Sequence, residues 1–200
     1  MSQLTVSELK PAIERLSLHA AQSQELLCQA DAQLGDGDLG ISVADGWRQA
    51  AEDSAQFSDD LGNAFFLLSK SFQKASPSSF GTLMATAFMA AAKQSKGKTV
   101  LTAADLSPLL RAACDAMMQR GKGELGQKSV LDIVDALANG LSDVNDLSEA
   151  KHRAVNIAQQ TLDAFRPQAN KLGRARMFPE KSCGLDDPGM LAIKVMIEAL

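Results

Sequence analysis

QADAQLGDGDLGIS, residues 29–42, sets three aspartates, Asp31, Asp36 and Asp38, among glycines. What precedes this stretch decides the fold. Ile13, Leu16, Ala20 and Leu27 recur at helical spacing, and residues 25–30 continue that amphipathic pattern up to the first aspartate. The carboxylates therefore follow a helix. An Asp-x-Asp nucleophile loop of the phosphatase kind follows a buried hydrophobic strand, so this context weighs against it.

The same period runs through the rest of the chain. A first helix with a capping box at Thr5-x-x-Glu8 is followed by helical segments at about 41–55, 59–74, 81–93, 108–120, 130–141, 148–170 and 188–200. Pro11 lacks the N–H that a helix interior uses, which predicts a separate first turn or a kink there. Ser107-Pro108 and Asp187-Pro188 each set a capping side chain before a proline at the first helical position, and Gly97, Gly121 and Gly140 fall at helix ends. On the last segment Met190, Ile193, Ile197 and Leu200 form an apolar face. No segment alternates with period two, and neither a repeat nor a linker divides the chain. The expectation is an all-α single domain over 1–200, with eight helices.

Composition narrows the function. Hydrophobic residues make up 46% of the 200, charged residues 22%, and the formal net charge is −4. That is an ordinary globular composition, with no basic patch for nucleic acid. The opening MSQLTVSELKP lacks the basic start and apolar run of a signal peptide, and no stretch reaches the ~18 apolar residues of a membrane span. Cys28, Cys114 and Cys183 lie far apart, in neither zinc nor disulfide spacing, which fits a reducing cytoplasm.

Three carboxylates held this close repel one another unless a cation shares them. With no histidine or cysteine nearby they are hard oxygen donors, suited to magnesium, manganese or calcium rather than zinc. An EF-hand beginning at Asp36 would need glycine where Ile41 stands and glutamate where Trp47 stands, so calcium of that type is excluded. Magnesium usually completes its shell with water and phosphate oxygens, and the loop therefore suggests a nucleotide. Three further stretches are built for close approach: Ser76-Pro77-Ser78-Ser79-Phe80-Gly81-Thr82, the cation- and glycine-bearing run 120–129, and Gly173-Arg174-Ala175 with residues 184–189. Each precedes or joins helices, where free N–H groups favour phosphate. Their common placement predicts one site at one end of a bundle.

Four motifs in order, DAQLGDGDLG, SSFGTLMATAF, MMQRGKGELGQKSVLD and GRARMFPEKSCGLDDPG, resemble the L subunit of dihydroxyacetone kinase and the matching nucleotide domain of single-chain dihydroxyacetone kinases. The resemblance covers nearly the whole chain. It implies an eight-helix antiparallel barrel closed at one end by loops that hold ADP or ATP and two magnesium ions. Asp31, Asp36 and Asp38 would be the metal ligands. The loop Leu39, Gly40, Ile41 and Ser42, with Ser79 and Phe80, would surround the phosphates. Gly121 and Val130 would border the nucleotide, Arg174 would meet phosphate charge, and Asp187, Pro188 and Gly189 would complete the pocket. Leu39 and Leu185 stand where the family has histidines, Phe80 where it has serine, and Gln127 where aspartate is frequent.

In that family the ketose is held through a histidine on a second subunit. His19 and His152 lie in helical segments here and offer no such site. The expected role is thus a kinase subunit with a sugar-binding partner subunit. Either ATP exchanges each cycle or a retained ADP is rephosphorylated by a phosphotransferase-system phosphocarrier. A non-catalytic nucleotide-binding regulator is the alternative class, and a homodimer is allowed for without a motif of its own.

Overall fold

The protein is described here by a computed structural model covering residues 3–75 and 77–200. A short strand β1 (Gln3–Leu4) leads into α1 (Val6–Gln22), α2 (Gln24–Ala32), α3 (Leu39–Asp53), α4 (Leu61–Ala75) and α5 (Ser79–Gln94). Strand β2 (Leu101–Thr102) precedes α6 (Ala103–Gly121), α7 (Val130–Gly140), α8 (Leu147–Phe165), the single turn α9 (Pro179–Ser182) and α10 (Pro188–Glu198). Among the described residues there are thus ten helices, where eight were expected. The first expected helix is divided at Ser23, whose ψ of 1° leaves the helical region, and α9 is an added turn. Pro11 does not detach the first turn: α1 runs through it from the Thr5–Glu8 capping box. The bend falls instead at Ser23, with Leu27 N still donating to Ser23 O at 3.1 Å.

The start of α6 also differs from the expectation at Ser107-Pro108. A second capping box, Thr102 with Asp105, starts the helix at Ala103 and places Pro108 inside it. Thr102 N donates to Asp105 Oδ2 at 2.8 Å, so the box closes a turn before the proline. The starts of α1 and α6 share Leu-Thr-x-x-(Glu/Asp)-Leu-x-Pro, at 4–11 and 101–108, an internal repeat too short to register as a period. Their leading residues pair as an antiparallel ribbon, Gln3 with Thr102 and Leu4 with Leu101. Two residues per strand are too few to leave an alternating pattern.

Successive helices pack on one another after short turns: α3 on α4, α4 on α5, α5 on α6, α6 on α7 and α7 on α8. Such neighbours run up and down. Helix α10 returns between α8, α7 and the first three helices, joining the two ends of the chain. Met190, Val195, Met196 and Ile197 are buried on it, whereas Ile193 is half-buried and Leu200 is 45% exposed, so the apolar face is broader than the four expected positions and stops short of the terminus. One apolar cluster is built around Trp47, whose ring meets Phe72 and Phe88 edge-on with centroids 5.3 and 5.8 Å apart. A second lies among α6, α7 and α8, and Phe80, Leu191 and Ile193 touch both.

Because the chain reverses at every turn, the same end of the bundle receives the starts of α3, α5, α7 and α10. Glycine sets how closely α3 begins against α2. A Cβ on Gly40 would fall far inside van der Waals contact with the Gln24 carbonyl oxygen and 2.8 Å from Cys28 Sγ. The carbonyl is backbone and cannot yield. Gly40→Ala should therefore lower stability by about 1–3 kcal/mol through overpacking, measured by urea denaturation; an unchanged midpoint would show that α2 and α3 can part freely.

Candidate functional site

Helix α2 ends at Ala32, and the chain turns back through Leu34 N and Gly35 N, both bonded to Asp31 O at 2.9 and 2.6 Å. Asp31 Oδ2 then accepts from Gly37 N at 2.8 Å and Asp38 N at 3.1 Å, so one carboxylate oxygen shapes the loop that carries the other two aspartates. Gly37 takes φ 77°, a left-handed conformation that disfavours other side chains. Carboxylate oxygens of Asp31, Asp36 and Asp38 come within 4.8 Å of one another. Asp38 is the N-cap of α3 yet makes no capping bond back to the helix. Its carboxylate is left for the cluster, and it does not close the first-turn amides of α3.

The cluster lies on the wall of a cavity of about 690 Å³, a volume suited to a small-molecule ligand. Thirteen of the expected residues face it: the three aspartates, Leu39, Ser42, Ser79, Phe80, Gly121, Val130, Arg174, Asp187, Pro188 and Gly189. Two do not. Gly40 serves the α2–α3 contact, and Ile41 points outward, 48% exposed. Residues 39–42 are also the first turn of α3 and not a loop, because Asp38 already ends the turn. Ser76 of the expected phosphate stretch lies outside the described residues.

The helix starts supply donors at the same wall. Ser78 caps α5 by accepting from Gly81 N at 3.0 Å, Ser129 and Asp132 form a capping box on α7, and Asp187 caps α10 by accepting from Met190 N at 2.9 Å. Four positive helix ends thus open toward one space. Arg174 reaches across to form an ion pair with Asp36, bringing the segment after α8 onto the aspartate loop. Arg120 and Arg176 also line the cavity, and among the described residues neither has an ion-pair partner. Both belong to stretches marked in the sequence by glycines and cations. Leu34 and Leu172 complete the apolar part of the wall, and nothing in their local sequence separates them from ordinary core leucines. Lys128, from the same cationic run, is only 1% exposed and is bonded away from the cavity. The two histidines are remote: neither lines the cavity, and His152 is exposed on α8. The three cysteines are free thiols.

The wall fits a magnesium-held phosphate ligand by the chemistry of its donors. Three carboxylates stand together as hard oxygen donors, and among the described residues no histidine or cysteine joins the group.

The chain is similar to known proteins over most of its length. Residues 33–200 match the family model of the DAK2 domain. The chain is 28% identical over 185 residues to the PEP-dependent dihydroxyacetone kinase, ADP-binding subunit DhaL, of Escherichia coli K12, covering 88% of this chain and 86% of that protein. It is 26% identical to L-erythrulose 1-kinase of Mycolicibacterium smegmatis, covering 94% of this chain but only 34% of that longer protein. The crystal structure of the dihydroxyacetone kinase of C. freundii in complex with AMP-PNP and Mg2+ superposes with a TM-score of 0.75 at 19% identity, over 96% of this chain and 33% of that one. The likeness extends the all-helical fold to a solved protein. No helix among the described residues is long and apolar enough to cross a membrane.

Asp187, on the same wall, has a strongly shifted acidity. Burial raises its pKa to about 6, against bonds from Met190 N and Asn170 and the charge of Lys128 that favour the ionised form. An acid held with a raised pKa contributes stability that is full below its unfolded pKa and is lost as pH rises through the folded value. Asp187→Asn keeps a capping oxygen and removes the titration. The wild type should lose stability relative to this variant between about pH 4 and pH 6, and carboxyl NMR should place the Asp187 midpoint near 6; parallel stability curves would contradict it.

Proposed function

The chain belongs to the DAK2 domain family, and on that premise we propose that it is the nucleotide-binding subunit of a dihydroxyacetone-type kinase, delivering a phosphoryl group to a short-chain ketose held by a partner subunit. The observation that carries this reading is the aspartate cluster set beside the uncapped start of α3. Two magnesium ions are the expected number from the motif resemblance, and ADP or ATP the expected nucleotide. Bound there, magnesium would neutralise phosphate charge and orient the transferred group.

The chain's own residues would do the rest. Asp31 holds the loop with one oxygen, while Asp36 and Asp38 present theirs outward. Free amides at the starts of α3 and α5 would meet the phosphates, Ser79 would add a hydroxyl, and Arg174 would meet charge that develops on the phosphates during transfer. Leu39, Phe80 and Val130 give the wall an apolar portion against which a base can pack. Among the described residues no histidine lines this wall, which supports a site shared with a sugar-holding partner. The Escherichia coli relative is a subunit of a PEP-dependent kinase, and this favours retained ADP recharged by a phosphocarrier over exchange of ATP.

Calorimetry with ADP should show binding that depends strongly on magnesium. Asp36→Asn and Asp38→Asn remove charge at nearly constant size and should weaken it by about tenfold or more, the scale of one charge-assisted contact. Equal affinity in all three proteins would reduce the loop to an ordinary helix start. Alone with Mg·ATP the protein should leave dihydroxyacetone unchanged, and phosphorylation should appear only when a sugar-binding subunit is added. Turnover by the isolated chain would refute the divided site, whereas tight ADP binding that no partner converts to transfer would favour a regulator.

A further inference from the structure

Lys128 is buried to 1% exposure and stands in the left-handed region, with φ 57°. Its ammonium donates to three backbone carbonyls: Arg166 O at 3.1 Å, Gln168 O at 2.8 Å and Ser182 O at 2.7 Å. An ammonium has three N–H donors, so none is left for a ligand. The three acceptors belong to the two arms of one segment. Arg166 and Gln168 follow α8, and Ser182 ends α9.

Other bonds close the same base. Gly184 N donates to Arg166 O at 2.8 Å, Lys171 N to Gln127 O at 2.9 Å, and Asn170 N to Ser182 Oγ at 2.9 Å. The Asn170 amide donates to Lys128 O at 2.7 Å and to Asp187 Oδ2 at 2.8 Å, linking the base to the cap of α10. Between the two arms the chain runs out to a tip, where Leu172, Gly173, Arg174, Ala175 and Arg176 line the cavity. Among the described residues, the ion pair of Arg174 with Asp36 apart, the bonds of 173–178 stay within the segment.

We propose that Lys128 is a positioning residue of the cavity: its buried ammonium ties both arms of residues 166–184 to the start of α7, and so holds Arg174 and the start of α10 against the ligand. The tie stands on geometry alone; what it positions rests on the nucleotide reading above. Burial lowers the Lys128 pKa, and the nearby Asp187 carboxylate opposes that shift. Methionine would fill the same space and donate nothing, leaving Gln168 O and Ser182 O without this partner.

Hydrogen exchange, ADP calorimetry with magnesium and paramagnetic resonance of Mn2+ alone test the inference on the full chain. In Lys128→Met, exchange across 170–184 should rise about tenfold or more and ADP should bind about tenfold more weakly, as for loss of one charge-assisted hydrogen bond. Mn2+ alone, which needs only the aspartate loop, should bind as in the wild type. Leu61→Ala, at the opposite end of the bundle, should lower the melting temperature without either change. If Lys128→Met does not fold, Lys128→Gln keeps two donors at shorter reach and should give the same changes at smaller size. Wild-type exchange across 170–184 in the lysine variant that folds would overturn the tie. An ADP loss no greater than that of Leu61→Ala would overturn the positioning role. Wild-type protein that ignores ADP would defeat the nucleotide reading, and the exchange data would still decide the tie.

Discussion

Mutual repulsion among three carboxylates is the constraint around which this end of the molecule is arranged. Their oxygens approach within 4.8 Å, and the local backbone does what it can to make that tolerable. Asp31 lends one oxygen to the amides of Gly37 and Asp38, which fixes the loop. Arg174 neutralises Asp36 from across the cavity. Among the described residues the Asp38 carboxylate has neither kind of partner, and it also forgoes the cap that an aspartate before a helix ordinarily supplies. A residue that gives up a bond worth about 1 kcal/mol in exposed helices is arranged for something other than helix stability. That is why the cluster, more than the cavity's size, bears on function.

Topology supplies the other half. An up-and-down bundle sends alternate helix starts to one end, and here those of α3, α5, α7 and α10 meet at the cavity. The ends of α2, α4, α6 and α8 arrive at the same level, so dipoles alone would nearly cancel. What breaks the balance is local. The helix ends contribute Arg120 and Gly121 or give way to the segment led by Arg174, whereas the starts present backbone N–H groups. Anions therefore meet donors from both sets, while the aspartates confine a cation to one corner.

This arrangement was legible where it depended on local chemistry and hidden where it depended on tertiary contact. The aspartate loop, the hydroxyls before α5 and the Asp187-Pro188 helix start carry their signals within a few residues, and they come together at one cavity. The helical period likewise marked nearly every rod. Boundaries failed where two local signals competed: Ser107-Pro108 hid the Thr102–Asp105 box a turn earlier, and Pro11 is the stronger local signal although the bend lies at Ser23. The short ribbon and the repeated helix-start motif each span too few residues to show a period. Lys128 misled in another way. Its neighbours in the run 120–129 suggested a phosphate cation, and only long-range bonds, to carbonyls as far as Ser182, show that it is spoken for.

The departures from the family pattern fall into two kinds once they are placed. Leu185 does not line the cavity, and Gln127 accepts from Glu124 N at 3.1 Å, shaping its own loop. Neither bears directly on a ligand. Leu39 and Phe80 do line it, and both are committed to the core as well: Leu39 is buried against the Trp47 cluster, and Phe80 bridges the two apolar clusters. An imidazole or hydroxyl at these positions could offer a ligand a hydrogen bond that a leucine or phenyl ring cannot. On the nucleotide reading, the phosphate charge must then be met by the open amides of α3 and α5, by Arg174 and by whatever cation the aspartates hold. That places more of the binding on backbone geometry and less on side chains that titrate. On the same reading, a firm tie beneath the Arg174 segment would carry more weight here than in a chain with polar side chains to spare.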